Sequence, residues 1–250
     1  MCLIAWNWQP DSDTPLVLLA NRDEFYGRPA QALHWWDNGQ VLAGRDLQAG
    51  GTWLGVGRSG RVAALTNYRL PLNNPGQRPS RGALVTDFLQ GKWDAASYLN
   101  LLLQRADDYN PFNLLVCDGE RLMGLESRNK QLISMATGLG AVSNADFDTP
   151  WPKLTRLKAG LQAQLQTGRT QVSDLLPLLR DKMLAADTEL PQTGVSLEWE
   201  RMLSATFVTS EHYGTRACSV ITIQRKKVSF FEESHGERGM LGAAQQYFTI

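Results

Sequence analysis

Two pairs of amphipathic helices interrupt an otherwise strand-like chain, and this order restricts the available folds more than any other feature. In the first pair, Leu84, Val85, Phe88 and Leu89 share one helical face after Ser80, a residue suited to a helix start. A helix over Asp94–Arg105 follows, with Tyr98, Leu99, Leu102 and Leu103 inward. The second pair opens after Thr149, with Pro150 in the first turn and a stripe of Leu154, Leu157, Leu161 and Leu165. Ser173 starts its partner, with Leu176, Leu179 and Met183 in register.

Strands are predicted on either side. Cys2–Trp8 and Leu16–Ala20 form a hairpin across the Gln9–Pro15 turn. Thr52–Val56 and Arg61–Asn67 pair around Gly57-Arg58-Ser59-Gly60. Further strands fall at Phe112–Cys117, Arg121–Glu126 and Gln131–Ser134, and Gly138–Asn144 runs out of that sheet. Asp187–Glu200 reads as a loop. The chain closes with strands at Thr206–Thr209, Cys218–Gln224, Lys227–Phe231 and Gln246–Ile250. Two helix pairs and many hairpins pack most economically as an α+β fold, a four-layer αββα sandwich with helices outside two stacked antiparallel sheets. No repeat or linker divides the sequence, so residues 1–250 read as a single domain.

Composition removes several functional classes. Lysine plus arginine equals aspartate plus glutamate at 25 each, so no global field favours nucleic acid or an anionic membrane. Local patches such as Arg69 with Arg78 and Arg81 remain. The cysteines Cys2, Cys117 and Cys218 are odd in number and lack metal or disulfide spacing, which suits a reducing, cytoplasmic setting. No stretch approaches the roughly 18 apolar residues of a membrane helix, and the N-terminus lacks the features of a signal peptide. His34, His212 and His235 are scattered, so no zinc site is expected. Gly55-x-Gly57-x-x-Gly60 matches a dinucleotide fingerprint in form only, because the strand-like Val62–Leu65 follows where a helix should open.

Chemistry concentrates at the start. Removal of Met1 would leave Cys2 carrying a thiol and a free α-amine on one residue. Their reference pKa values, about 8.5 and about 7.7–8.0, allow the amine to take the thiol proton and the thiolate to attack a carbonyl. A retained Met1 blocks that base. The plain alternative is a small buried side chain opening a strand. Arg22 and Asp23 return beside Cys2 across the hairpin, Arg22 to favour thiolate and Asp23 to hold the amine; their alternative is a surface ion pair. Asn67 and Asn144 could donate to an oxyanion or simply shape turns. Arg216 precedes an apolar strand as a substrate anchor or a strand-end charge. Trp6, Trp8, Trp35, Trp36 and Trp53 suit a core or a pocket wall. Asn67, Arg69 and Trp53 complete the candidate substrate contacts.

Several of these stretches carry a family resemblance. Met1-Cys2-Leu3-Ile4, Asn21-Arg22-Asp23-Glu24 with Phe25 and Arg28-Pro29, Gly50-Gly51-Thr52-Trp53-Leu54-Gly55 and Leu65-Thr66-Asn67-Tyr68-Arg69 resemble the NRDE family. Its eukaryotic members are the transport and Golgi organisation 2 proteins. Ser143-Asn144, Trp151-Pro152-Lys153 and Tyr213-Gly214-Thr215-Arg216 continue the match along the chain. The family is similar in layout to cysteine N-terminal nucleophile hydrolases of the choloylglycine and penicillin V acylase type. The resemblance implies an αββα fold, Cys2 as nucleophile on a non-peptide amide, Arg22 and a nearby aspartate around it, Asn144 at the oxyanion and Arg216 in the pocket. Asn67 matches a second asparagine. In those acylases two residues separate the arginine from the aspartate, whereas Arg22 and Asp23 are adjacent. NRDE relatives are also associated with haem trafficking and with lipid or acyl-CoA metabolism. That implies a rival, non-enzymatic role with haem or a lipid as ligand and no resident cofactor. A third reading is an interaction protein that has kept the fold and lost the reaction. The acyl group, the leaving amine and the oligomeric state are not legible.

Overall fold

The computed structural model describes residues 1–70 and 78–250. In chain order its strands are β1 (Cys2–Trp8), β2 (Leu16–Phe25), β3 (Ala30–Trp35), β4 (Val41–Asp46), β5 (Leu54–Gly57), β6 (Val62–Asn67), β7 (Phe112–Cys117), β8 (Leu122–Glu126), β9 (Gln131–Ser134), β10 (Gly138–Val142), β11 (Tyr213–Gln224), β12 (Lys227–Gly236) and β13 (Gly239–Thr249). The helices are α1 (Gly82–Gln90), α2 (Ala95–Leu103), α3 (Pro152–Gln166), α4 (Val172–Leu179) and α5 (Leu197–Met202). One antiparallel sheet runs β10-β1-β2-β11-β12-β13, and the other runs β3 through β9 in sequence order. No described helix is long and apolar enough to cross a membrane.

Strand alternation builds three apolar layers. In β1, Ile4, Trp6 and Trp8 turn inward and meet Leu54, Val56 and Leu115 of the facing sheet. Leu3 and Ala5 turn the other way, onto Leu154, Leu157 and Leu161 of α3 and Leu175 and Leu179 of α4. On the far side, Val85, Phe88 and Leu99 of α1 and α2 cover Ala63, Leu114 and Val116. The result is the expected αββα stack.

Several boundaries differ from the sequence reading. β10 leaves the neighbouring sheet, as the sequence indicates, but its destination was not legible there: it pairs with β1, Ile4 opposite Val142. β3 and β4 lie where no strand was predicted. Thr206–Thr209 forms no strand, only the bridge Thr209–Gly214, while Asp187–Glu200 contains the start of α5. Helix starts fall off their predicted caps: α3 opens at Pro152 after Trp151, and α4 follows Gln171, whose side chain closes a capping box with Asp174. Met183 lies beyond α4 and is exposed.

Candidate active site

The site is set by the one-residue step of a strand. Cys2 pairs with Arg22 across β1 and β2, and Arg22 pairs with Ala217 across β2 and β11. Cys2 and Arg22 therefore project to the same, inner face as Ile4 and Ala20, where the two sheets part into a cavity of about 650 Å³. Asp23, one residue on, projects to the opposite face beneath α3. The sequence reading placed Arg22 and Asp23 around one thiol; the fold divides their side chains between two sides of the sheet.

On the inner face, Arg22 lies 3.2 Å from Asp46 Oδ2, an oxygen shared with Arg28 Nε at 2.6 Å. Glu24 stands 3.7 Å from Arg22 and 3.8 Å from Arg28. Burial pushes Asp46 up, but its bonds to Arg28 and to the Ala49 N–H outweigh this and hold it below the usual carboxylate range. Burial likewise pushes the Cys2 thiol up to about 11, opposed by the chain's terminal ammonium and Arg22 and aided by Asp23 and Glu24. With Met1 in place the thiol stays protonated at neutral pH. Arg216 sits in a β-bulge: Thr215 pairs with Asp23 and Ala217 with Arg22, leaving Arg216 between them. Its guanidinium lines the cavity while donating to the carbonyls of Phe25, Tyr26, Arg28 and His235.

Glu232 was not singled out from the sequence. It lies on the inner face of β12 beyond Phe230, is 3% exposed and lines the same cavity. One oxygen accepts from the Leu33 N–H at 2.9 Å, the other from Ser219 Oγ at 3.3 Å. Burial raises its pKa to about 7, against those two hydrogen bonds and Arg22.

On the outer face the charges are sealed. Asp23 Oδ1 accepts from Thr215 Oγ1 at 2.7 Å, and Oδ2 stands 3.9 Å from Lys153 Nζ at the start of α3. Burial lowers the Lys153 pKa to about 8, opposed by Asp23. Arg69 does not line the cavity. It is held at 2.6 Å by Glu200 of α5 and stacks on Trp151, its centre 4.5 Å from the ring. Lys153 and Glu200 escaped the sequence reading; the Trp151-Pro152-Lys153 run was the available signal for the first.

The remaining candidates fall between these faces. Asn67 and Trp53 line the cavity. Asn144 is fully buried and does not; its Nδ2 donates to the Asn67 carbonyl at 2.7 Å, and its own carbonyl accepts from the Arg69 N–H. Continuing the β1–β10 register by two places sets Cys2 opposite Asn144. Ser143 Oγ accordingly donates to the Cys2 carbonyl at 3.2 Å. The Met1 carbonyl points the other way, accepting from the Asp23 N–H. Successive residues of a strand direct their N–H and C=O to alternate sides, so the Cys2 nitrogen faces Ser143 and Asn144 and not Asp23. Among the described residues no three metal-ligating side chains converge.

The layer order is that of a four-layer αββα sandwich, the fold of N-terminal nucleophile hydrolases. The C2A mutant of conjugated bile acid hydrolase from Clostridium perfringens shares this fold, with a TM-score of 0.56 at 9% identity over all of this chain and 96% of its own. A second variant of that hydrolase gives 0.53. Within the fold, the chain belongs to the Transport and Golgi organisation 2 family, whose model matches residues 1–237. It is 34% identical to the Transport and Golgi organization protein 2 homolog of Bos taurus, over 97% of this chain and 94% of that protein. The Homo sapiens homolog is 33% identical over 94% and 93%.

Proposed function

We propose that the chain is a cysteine N-terminal nucleophile hydrolase of a small, polar or anionic non-peptide amide. One observation carries this reading: Cys2, a single residue from the chain start, opens into a 650 Å³ cavity beside Arg22 on a fold shared with a bile acid hydrolase. Excision of Met1 exchanges an amide nitrogen on Cys2 for a free amine beside Ser143 and Asn144. That amine takes the thiol proton, Sγ bonds to the substrate carbonyl carbon, and the departing amine takes the proton as the C–N bond breaks. Water then cleaves the thioester, with the same amine as base. The substrate preference follows from the walls. Arg22, Arg28, Arg45, Arg78, Arg81 and Arg216 line the cavity against Glu24, Asp46 and Glu232. Of the six arginines, only Arg22 and Arg28 have a carboxylate partner among the described residues. Charged walls suit a headgroup and disfavour a porphyrin face, so haem handling is the weaker reading.

Thiol labelling followed by intact mass tests this. Met1-free protein at pH 7.5 should take up one alkyl group, at Cys2, and Cys2→Ala none. Cys117, pushed up to about 12 by burial, and Cys218, buried likewise, serve as internal controls. Purified protein that keeps Met1 throughout, or a Cys2 no faster than Cys117, would sink the hydrolase reading.

A further inference from the structure

Met1 fills a slot of its own. Its side chain packs against Leu203, Val208 and Tyr213, with Trp199 and Met202 beside them. Leu203 and Val208 are fully buried and Tyr213 nearly so. The Met1 carbonyl accepts from the Asp23 N–H at 2.6 Å, and its amine donates to the Asp23 carbonyl and to Tyr213 Oη. Met1 also lines the cavity into which Cys2 opens. One residue thus touches both an apolar slot and a charged chamber.

Chemically, Met1 attached to Cys2 is an acyl group on an amide nitrogen: a flexible apolar chain, a carbonyl held by a backbone N–H, and the nitrogen of the nucleophilic residue. Its loss leaves a void walled by Leu203 and Val208 and strips the buried Asp23 N–H of its acceptor. Both are costly to leave empty. We infer that the slot held by Met1 becomes, after its excision, the binding site for the apolar acyl portion of the ligand, with the Asp23 N–H donating to the acyl carbonyl. A hexanoyl chain matches the methionyl group atom for atom from the carbonyl to Cε, lacking only the α-amine that donates to the Asp23 carbonyl and Tyr213. This rests on the hydrolase reading for the excision of Met1, and it gives the ligand two ends, an apolar acyl chain and a polar or anionic remainder in the cavity.

Straight-chain primary amides, from acetamide to octanamide, supply the test. They are titrated by calorimetry into Met1-free Cys2→Ala protein, which binds without turnover. Affinity should climb about fourfold per methylene up to hexanamide and then level off. Protein made with methionine aminopeptidase inhibited, and shown by intact mass to keep Met1, should bind hexanamide at least tenfold more weakly. Val208→Trp, which fills the slot, should flatten the series; if that variant fails to fold, the Met1-retaining protein gives the same comparison without any core substitution. A series flat in chain length, or hexanamide affinity indifferent to Met1, overturns the proposal. The two readings fail separately: fast labelling of Cys2 with a flat series defeats the slot alone, and an inert Cys2 with a rising series defeats hydrolysis alone.

Discussion

The two faces of the sheet at the Cys2–Arg22 end handle charge in opposite ways. The inner face leaves Arg22, Asp46 and Glu24 partly open to a cavity, where water and a ligand can reach them. The outer face closes α3 and α5 over Asp23, Lys153, Arg69 and Glu200, each 5% exposed or less. A buried ion whose partner is removed is left without water or counter-charge, whereas a cavity-lining ion is rescued by solvent. The outer cluster should therefore govern stability and the inner one reactivity.

The largest effect that would sharpen this contrast is on the sealed side. Glu200→Gln leaves the Arg69 guanidinium, 3% exposed, without its carboxylate. A loss of about 3–5 kcal/mol is expected, a fall in Tm on the order of 10 °C. A loss under about 1 kcal/mol in thermal unfolding would mean that water reaches Arg69, and the contrast would break. Next comes Glu232, which is on the inner face and yet buried. Folded, it keeps its proton up to about 7; unfolded, it releases it near the ordinary 4.5. The folded state thus loses stability as pH rises between those values, and Glu232→Gln should escape that loss. The variant should gain up to about 3 kcal/mol over the wild type at pH 8 and nothing at pH 4. Equal stabilities at both pH values would place the Glu232 carboxylate in water. The smallest stability effect belongs to Arg22→Met, about 1 kcal/mol or less, since Asp46 keeps Arg28. Its reactivity effect should be the clearer one: without the guanidinium's pull on the thiolate, alkylation of Cys2 slows at neutral pH.

Periodicity made most of this architecture legible. Ile4, Trp6 and Trp8 against Leu3 and Ala5, and the leucine stripe of α3, mark their faces without any structure. β3 escaped because Ala30–Gln31-Ala32 is exposed and no apolar alternation marks it; it is held by pairing with β4. The separation of Arg22 from Asp23 was implicit in the two-residue repeat of a strand, but only once β2 was known to run on to Phe25. Glu200, Glu232 and Lys153 could not be found locally. Each reaches its place through contacts more than 100 residues distant: Arg69 for the first, Leu33 for the second, Asp23 for the third.

The cavity's arginines are also fastened before any ligand arrives. Arg45 donates to the Gly50 carbonyl, Arg78 to Tyr109, Arg81 to Pro111, and Arg216 to four carbonyls at once. A free arginine gives up roughly 0.5–1.5 kcal/mol of rotamer freedom when a ligand immobilises it. Here folding has already taken that loss. An incoming anion meets a rigid comb of donors, so discrimination between ligands falls to shape and spacing, with little room for the walls to adapt.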